Sequence, residues 1–234
     1  MGCKYLAFDI ETAKDVQGAD FNWKPHRPLG ISCIASLATD CGEPRVWMTR
    51  SASGTPALQM SRADVAAFVQ HLGDAVRDGF TPLSWNGLAF DFDVLAEESG
   101  LAAECKKLAL GHVDMMFHVV CEKGFRVALK NAASGLRLPG KLAGVEGIDA
   151  PSLWAEGKYD IVTAYVSQDV RTTLAVARES EKRGSFAWTT RKGTVSSMPL
   201  SRGWLSVEAA LRLPLPDTSW MSDPPSRGDF TAWL

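Results

Sequence analysis

The sequence predicts a layered α/β fold, and three observations predict it. Apolar runs rich in β-formers alternate with segments of helical periodicity. The chain begins on a core strand, and 46% of its residues are apolar against 22% charged, the balance of a chain that buries a core. Its 234 residues suffice for one α/β domain, or for one domain of about 180 residues with a small appendage.

The elements follow in order. KYLAFD (residues 4–9) reads as a strand with carboxylates at its end, and after a mixed loop over 13–28, GISCIASLA (30–38) and RVWMT (45–49) read as two more. Turn chemistry between those two, over 40–44, makes them a hairpin. Ser61 caps a helix reaching residue 77, because Val65, Phe68, Val69, Leu72 and Val76 recur at helical spacing. A short strand over 82–85 is followed by helices over 91–98 and 101–108, and by a short strand near Val113. Further helices fall at 115–121 and 127–134, with a long one at 159–182. After residue 183 the character changes: FAWTTRKGTV (186–195) reads as a hairpin turning at Lys192-Gly193, and 205–213 as a short helix before the proline-rich LPLPDTSWMSDPP. The expected division is therefore a domain over 1–183 and an appendage over 184–234. Trp188, Trp204, Trp220 and Trp233, with Arg191, Lys192 and Arg202 nearby, are expected to pack that appendage onto the domain rather than to stack bases.

Charge and cysteine content narrow the function classes. A formal charge of −2 excludes a protein that grips duplex nucleic acid through a broad basic face, so any attraction for a polyanion must be local. The five cysteines include no Cys-x-x-Cys pair, which points to reduced thiols rather than a zinc site or disulfide framework. No window has the length of a membrane span and no export signal opens the chain, so the expectation is cytoplasmic, with no membrane partner.

Three clusters carry chemistry. In a strand, residues two apart share a face, so Asp9 and Glu11 point the same way while Phe8 and Ile10 point the other. Two acids held this close repel unless a cation sits between them, or unless the strand simply runs out into solvent. WNGLAFD (85–91) follows a strand and opens a helix, where Asp91 is either a site acid or a plain cap. Tyr165 and Asp169 lie one turn apart on the same face of the long helix. Asp93 is expected to be a surface or capping acid, because residues two apart on a helix diverge by about 200°. Lys24, His26, Arg27 and Lys141 read as solvated basic positions, and His112 and His118, flanking Asp114, as structural. Trp85 reads as a core side chain.

Taken together, LAFDIET, WNGLAFD with Leu95 following, and Tyr165-x-x-x-Asp169 resemble the three exonuclease motifs of the DEDD superfamily. The position five residues before the last acid, a histidine in one subclass, is Ala164 here, so the resemblance is to the tyrosine subclass. NG-x-x-FD-x-x-x-L is similar to the proofreading domain of B-family DNA polymerases. LRLPGK (136–141) and LWAEGKYDIVTAYVSQDV resemble stand-alone exonucleases related to those domains. The resemblance spans about residues 4–182 and implies a ribonuclease H-like mixed β-sheet flanked by helices.

It further implies a 3′→5′ exonuclease acting on single-stranded nucleic acid, DNA ahead of RNA, with two Mg²⁺ or Mn²⁺ ions. Asp9 would bridge the ions, Glu11 and Asp169 would complete one site, and Asp91 would support the other. Tyr165 would orient the attacking water, since a phenol of ordinary pKa about 10 is a poor general base. Asn86 is expected to hold the scissile nucleotide or the helix entry. Nothing in the chain resembles polymerase motifs, so any proofreading would act in trans with a polymerase or repair partner. The competing expectation is a non-catalytic nucleic-acid-binding or polymerase-accessory subunit that keeps the fold.

Overall fold

One hydrophobic strand at the centre of a sheet organises the chain. The computed structural model describes residues 3–16, 22–139 and 147–234. Strands β1 (Tyr5–Thr12), β2 (Ile31–Ala38), β3 (Arg45–Trp47), β4 (Thr81–Ser84) and β5 (Val113–Asp114) form a mixed sheet in the order β3-β2-β1-β4-β5. The sheet is antiparallel across β1, β2 and β3, and parallel from β1 to β4 and from β4 to β5. The expected β2–β3 hairpin is present. β1 runs on past Asp9 to Thr12, so the two acids lie inside the strand rather than at its end. Apolar and acidic residues alternate along β1, and both kinds are ordered by the ladder to β2.

The helices are α1 (Arg62–Arg77), α2 (Asp91–Ser99), α3 (Ala102–Gly111), α4 (Met115–Lys123), α5 (Leu129–Leu136), α6 (Ala150–Ala155), α7 (Tyr159–Arg183), α8 (Val207–Ala210) and α9 (Gly228–Thr231). Ser61 caps α1 as its sequence requires, its hydroxyl accepting from the Asp64 amide at 3.1 Å. Period-2 alternation sorts β1 between two cores. Leu6, Phe8 and Ile10 pack with Phe68 and Leu72 of α1 and Phe92 and Leu95 of α2. Tyr5 and Ala7 pack with Val162, Val166 and Val170 of α7. The sheet is thus covered on both faces, as a layered α/β fold demands. Among the described residues, no helix is long and apolar enough to cross a membrane.

The C-terminal stretch forms the hairpin β6 (Ser185–Thr189) and β7 (Val195–Pro199), with Gly193 in the left-handed region at the turn. Trp188 and Trp204 are buried in the α7-side core, whereas Trp220 is exposed. Phe230 of α9 is buried in the opposite core. The helix expected over 205–213 is limited to the single turn α8, and neither α6 nor α9 was foreseen. Both are too short to show a periodicity.

Candidate active site

Strand alternation fixes where the first two acids point. Asp9 and Glu11 continue the row of Tyr5 and Ala7, and so face the α7 side of the sheet. α7 presents Tyr165 and Asp169 from the same stripe that packs Val162, Val166 and Val170 onto β1. Residues of β1 and α7 therefore converge. Asp91 arrives from the start of α2: past the last β1–β4 pair, Ala7 with Leu83, its Oδ1 accepts from the Ile10 amide at 3.2 Å. The result is one cavity of about 580 Å³ lined by Asp9, Glu11, Asn86, Asp91, Tyr165 and Asp169, every residue that the sequence singled out as a site candidate. Tyr165 is 2% exposed and Asp91 3%, so these two reach the cavity from a nearly dry wall.

Burial governs the electrostatics. Desolvation pushes the Asp91 carboxyl up to about 7, with the nearby Asp114 charge acting in the same direction. Burial likewise raises Asp114 to about 6 against the pull of its backbone donors. Among the described residues, no three His, Cys, Asp or Glu side chains are gathered tightly enough to form a ready-made metal cage. The donors are nevertheless of one kind: carboxylate oxygens, the ligands that Mg²⁺ and Mn²⁺ take while keeping positions for water and phosphate.

Asp114 is the residue that sequence reasoning passed over. Its Oδ1 accepts from the amides of Asn86 at 3.1 Å and Phe117 at 3.0 Å, and its Oδ2 from Leu88 at 2.9 Å. One buried acid thereby caps α4 and ties down the turn that carries Asn86 and leads to Asp91. Within that turn Asn86 sits at φ 72°, a left-handed conformation that Asn tolerates better than most residues. Gly87 is required there, since a Cβ would lie 2.4 Å from Ser84 Oγ. The carbonyl of Leu88 accepts from Trp233 Nε1 at 2.6 Å, so the C-terminal stretch braces the same turn. A signal for Asp114 did exist: an acid directly before a helix and three residues ahead of Phe117 is an N-cap pattern.

Two expectations are corrected. Asp93 is not a surface acid but is 4% exposed, and it pairs with Arg27, whose Nε also donates to Glu97 at 2.9 Å. Arg27 is accordingly no solvated loop cation; it lies over the Trp23 ring at 5.0 Å and is committed to joining the loop to α2. Trp85 donates from Nε1 to the Val127 carbonyl at 3.1 Å, and it is half-buried with one edge in the cavity wall. Lys24 also lines the cavity, while His26 is exposed outside it. Lys141 lies outside the described residues. His112 and His118 are buried and structural: Ser84 Oγ and the Ala109 carbonyl hold the first, and the Leu205 amide donates to Nδ1 of the second.

The fold has known relatives. The family B DNA polymerase from the hyperthermophilic archaeon Pyrobaculum calidifontis superposes with a TM-score of 0.55 at 20% identity, over 77% of this chain and 25% of the polymerase. A product-bound exonuclease I matches at 15% identity over 78% of this chain and 44% of that one, with a TM-score of 0.40. The chain thus spans about a quarter of the polymerase and under half of exonuclease I. No curated protein matches the sequence. Residues 50–180, more than half of the chain, match the family model RNase_H_2, described as RNase_H superfamily. With that match added to the five-stranded mixed sheet and its two helical layers, the chain belongs to the RNase H superfamily.

Proposed function

We propose that this chain is a metal-dependent 3′→5′ exonuclease that hydrolyses the terminal phosphodiester of single-stranded nucleic acid, DNA ahead of RNA. In this reading residues 1–183 are the working domain and 184–234 its appendage. The observation that carries the proposal is the common cavity of Asp9, Glu11, Asp91, Tyr165 and Asp169, which come from three remote stretches of sequence. Five acids and three basic residues line that cavity among the described residues, so a phosphate can enter only with cations to offset the repulsion. Asp9, Glu11, Asp91 and Asp169 would hold two divalent ions, which when bound acidify a water and stabilise the charge developing on the phosphate.

The remaining roles belong to the chain itself. The Tyr165 hydroxyl orients the attacking water, and Asn86 holds the terminal nucleotide. The Asp114 carboxylate keeps the Asn86 turn in register with β1. Asp9 lies among acids that repel one another in the metal-free protein, so its removal should spare the fold.

The test is degradation of 5′-labelled DNA and RNA oligomers with Mg²⁺, Mn²⁺ or EDTA. Stepwise shortening from the 3′ end with metal, lost in EDTA, is expected. Asp9→Ala should abolish it with the melting temperature unchanged, and Tyr165→Phe should slow it more mildly. Intact DNA and RNA in the presence of metal would remove the exonuclease claim and leave the non-catalytic binding subunit as the better reading. Full activity in Asp9→Ala would mean the acids are wrongly assigned.

A further inference from the structure

The cavity contains cations that the carboxylate chemistry does not use. Lys24 comes from the short 3-10 turn Lys24–His26, and Arg126 from the link between α4 and α5; both line the cavity together with Asp229 of α9. Their situation differs from that of Arg27, which is spent on Asp93 and Glu97. Arg126 lies 3.6 Å from Asp229, and the two side chains are 53% and 48% exposed. A long, half-exposed pair of this kind stabilises little and exchanges readily for a better anion. The guanidinium also lies 5.2 Å from the Phe230 ring centroid, a contact that orients it without consuming its donors.

Asp229 is anchored by hydrogen bonds, whereas Arg126 is held, among the described residues, only by the long ion pair and the ring contact. The Asp229 carboxylate accepts from the Ser226 amide at 3.0 Å and the Ser226 hydroxyl at 2.7 Å. Those bonds hold it below the usual carboxylate range, with Arg126 and Lys24 adding to the effect. A fixed anion facing a movable cation is arranged so that the cation can leave for a competing phosphate. Arg presents a planar fork that matches two phosphate oxygens, which makes it the better partner for such an exchange.

We infer that Arg126 and Lys24 form a phosphate-binding subsite for the backbone of a single nucleic-acid strand, and that Asp229 is a tethered counter-anion which an incoming phosphate displaces. The inference rests on the exonuclease reading for its substrate class. It adds where the strand is held and gives the C-terminal stretch a role in binding.

The test is fluorescence anisotropy of a labelled single-stranded DNA oligomer with the full chain in Ca²⁺, with the oligomer's integrity checked on a gel. Arg126→Ala should raise Kd about tenfold and reduce the slope of log Kd against log salt by about 0.7, the value of one lost phosphate contact on a single strand. Lys24→Ala should act in the same direction. Asp229→Asn should lower Kd about threefold in the wild-type background and by clearly less in the Arg126→Ala background, where only Lys24 is left for it to release. Thermal melts of each variant check that α9 stays in place. An unchanged Kd and salt slope in Arg126→Ala would overturn the subsite, as would an Asp229→Asn gain of undiminished size without Arg126, or a wild-type chain that binds no oligomer. Cleavage assayed alongside separates the two claims. Wild-type cleavage with an indifferent Arg126→Ala sinks the subsite alone, and Arg126-dependent binding without cleavage sinks the exonuclease reading alone.

Discussion

At the scale of single residues, Asp114 has more consequence than its sequence position advertises. Two oxygens receive three amide bonds, from Asn86, Leu88 and Phe117, in a setting 1% exposed. Asp114→Asn keeps the shape but offers an NH₂ where Oδ2 receives the Leu88 amide, and two donors then face each other in a buried place. The expected cost is about 1–3 kcal/mol in urea unfolding. Because the same turn carries Asn86 and leads to Asp91, the change should also lower kcat/KM at least tenfold. A variant as active and as stable as the parent would show that the turn holds its shape without this acid. The six candidates that line the cavity could be picked out because their segments (alternation on a strand, a strand-end turn opening a helix, and one turn of separation on a helix) together resemble the three DEDD motifs, although each pattern alone is ambiguous. Asp93 could not be. Helix geometry alone sends it away from Asp91, but only the arrival of Arg27 from a distant loop explains why it is buried.

At the scale of elements, periodicity exposed whatever was long enough to have a period. The strands of the main sheet, the cap of α1 and the 25-residue α7 were all readable, whereas α6 and α9, of six and four residues, were not. How elements approach one another was also hidden. Gly135, inside α5, lies against β6 so closely that a Cβ would come within 2.3 Å of Trp188 Cα and 2.5 Å of its N and C atoms. Backbone cannot give way as the tip of a side chain can. Gly135→Ala would gain about 1 kcal/mol of helix propensity but overpack this contact, so a net loss of about 2 kcal/mol is expected. Gly73 of α1 supplies the control, since its Cβ would meet nothing closer than Arg77 Nη1 at 3.6 Å. Gly73→Ala should therefore stabilise by about 0.5–1 kcal/mol. Urea unfolding of the two variants checks the opposite signs, and equal shifts would mean that β6 does not pack on α5 this tightly.

At the scale of the whole molecule, buried titratable groups of opposite kind set how stability responds to acid. Burial depresses His112 and His118 to about 4, whereas unfolded imidazoles titrate near 6.5. For these two, stability is complete above about pH 6.5 and is lost as pH falls toward 4, because the unfolded chain binds the extra protons. Asp91 and Asp114 behave in reverse. Their folded carboxyls titrate at about 7 and about 6, so their contribution is complete below the ordinary carboxylate range and is lost as pH rises through those values. Between about pH 4 and 6 the two pairs oppose each other, and the metal-free chain should show a shallow dependence on pH. Removing one imidazole exposes the hidden slope. His118 Nδ1 accepts from the Leu205 amide at 3.3 Å, a bond that the Oδ1 of an asparagine can imitate without titrating. His118→Asn should therefore cost some stability at pH 7 through lost packing on Trp204, whose ring lies 5.4 Å away. From pH 7 to pH 5, however, the parent loses about 2 kcal/mol that the variant does not, since each proton bound only by the unfolded state changes stability by about 1.4 kcal/mol per pH unit. The deficit of the variant should shrink, or change sign, by about that amount. Urea unfolding of both proteins in EDTA at pH 5 and pH 7 measures it, and a deficit equal at the two pH values would mean that His118 is already protonated within the fold.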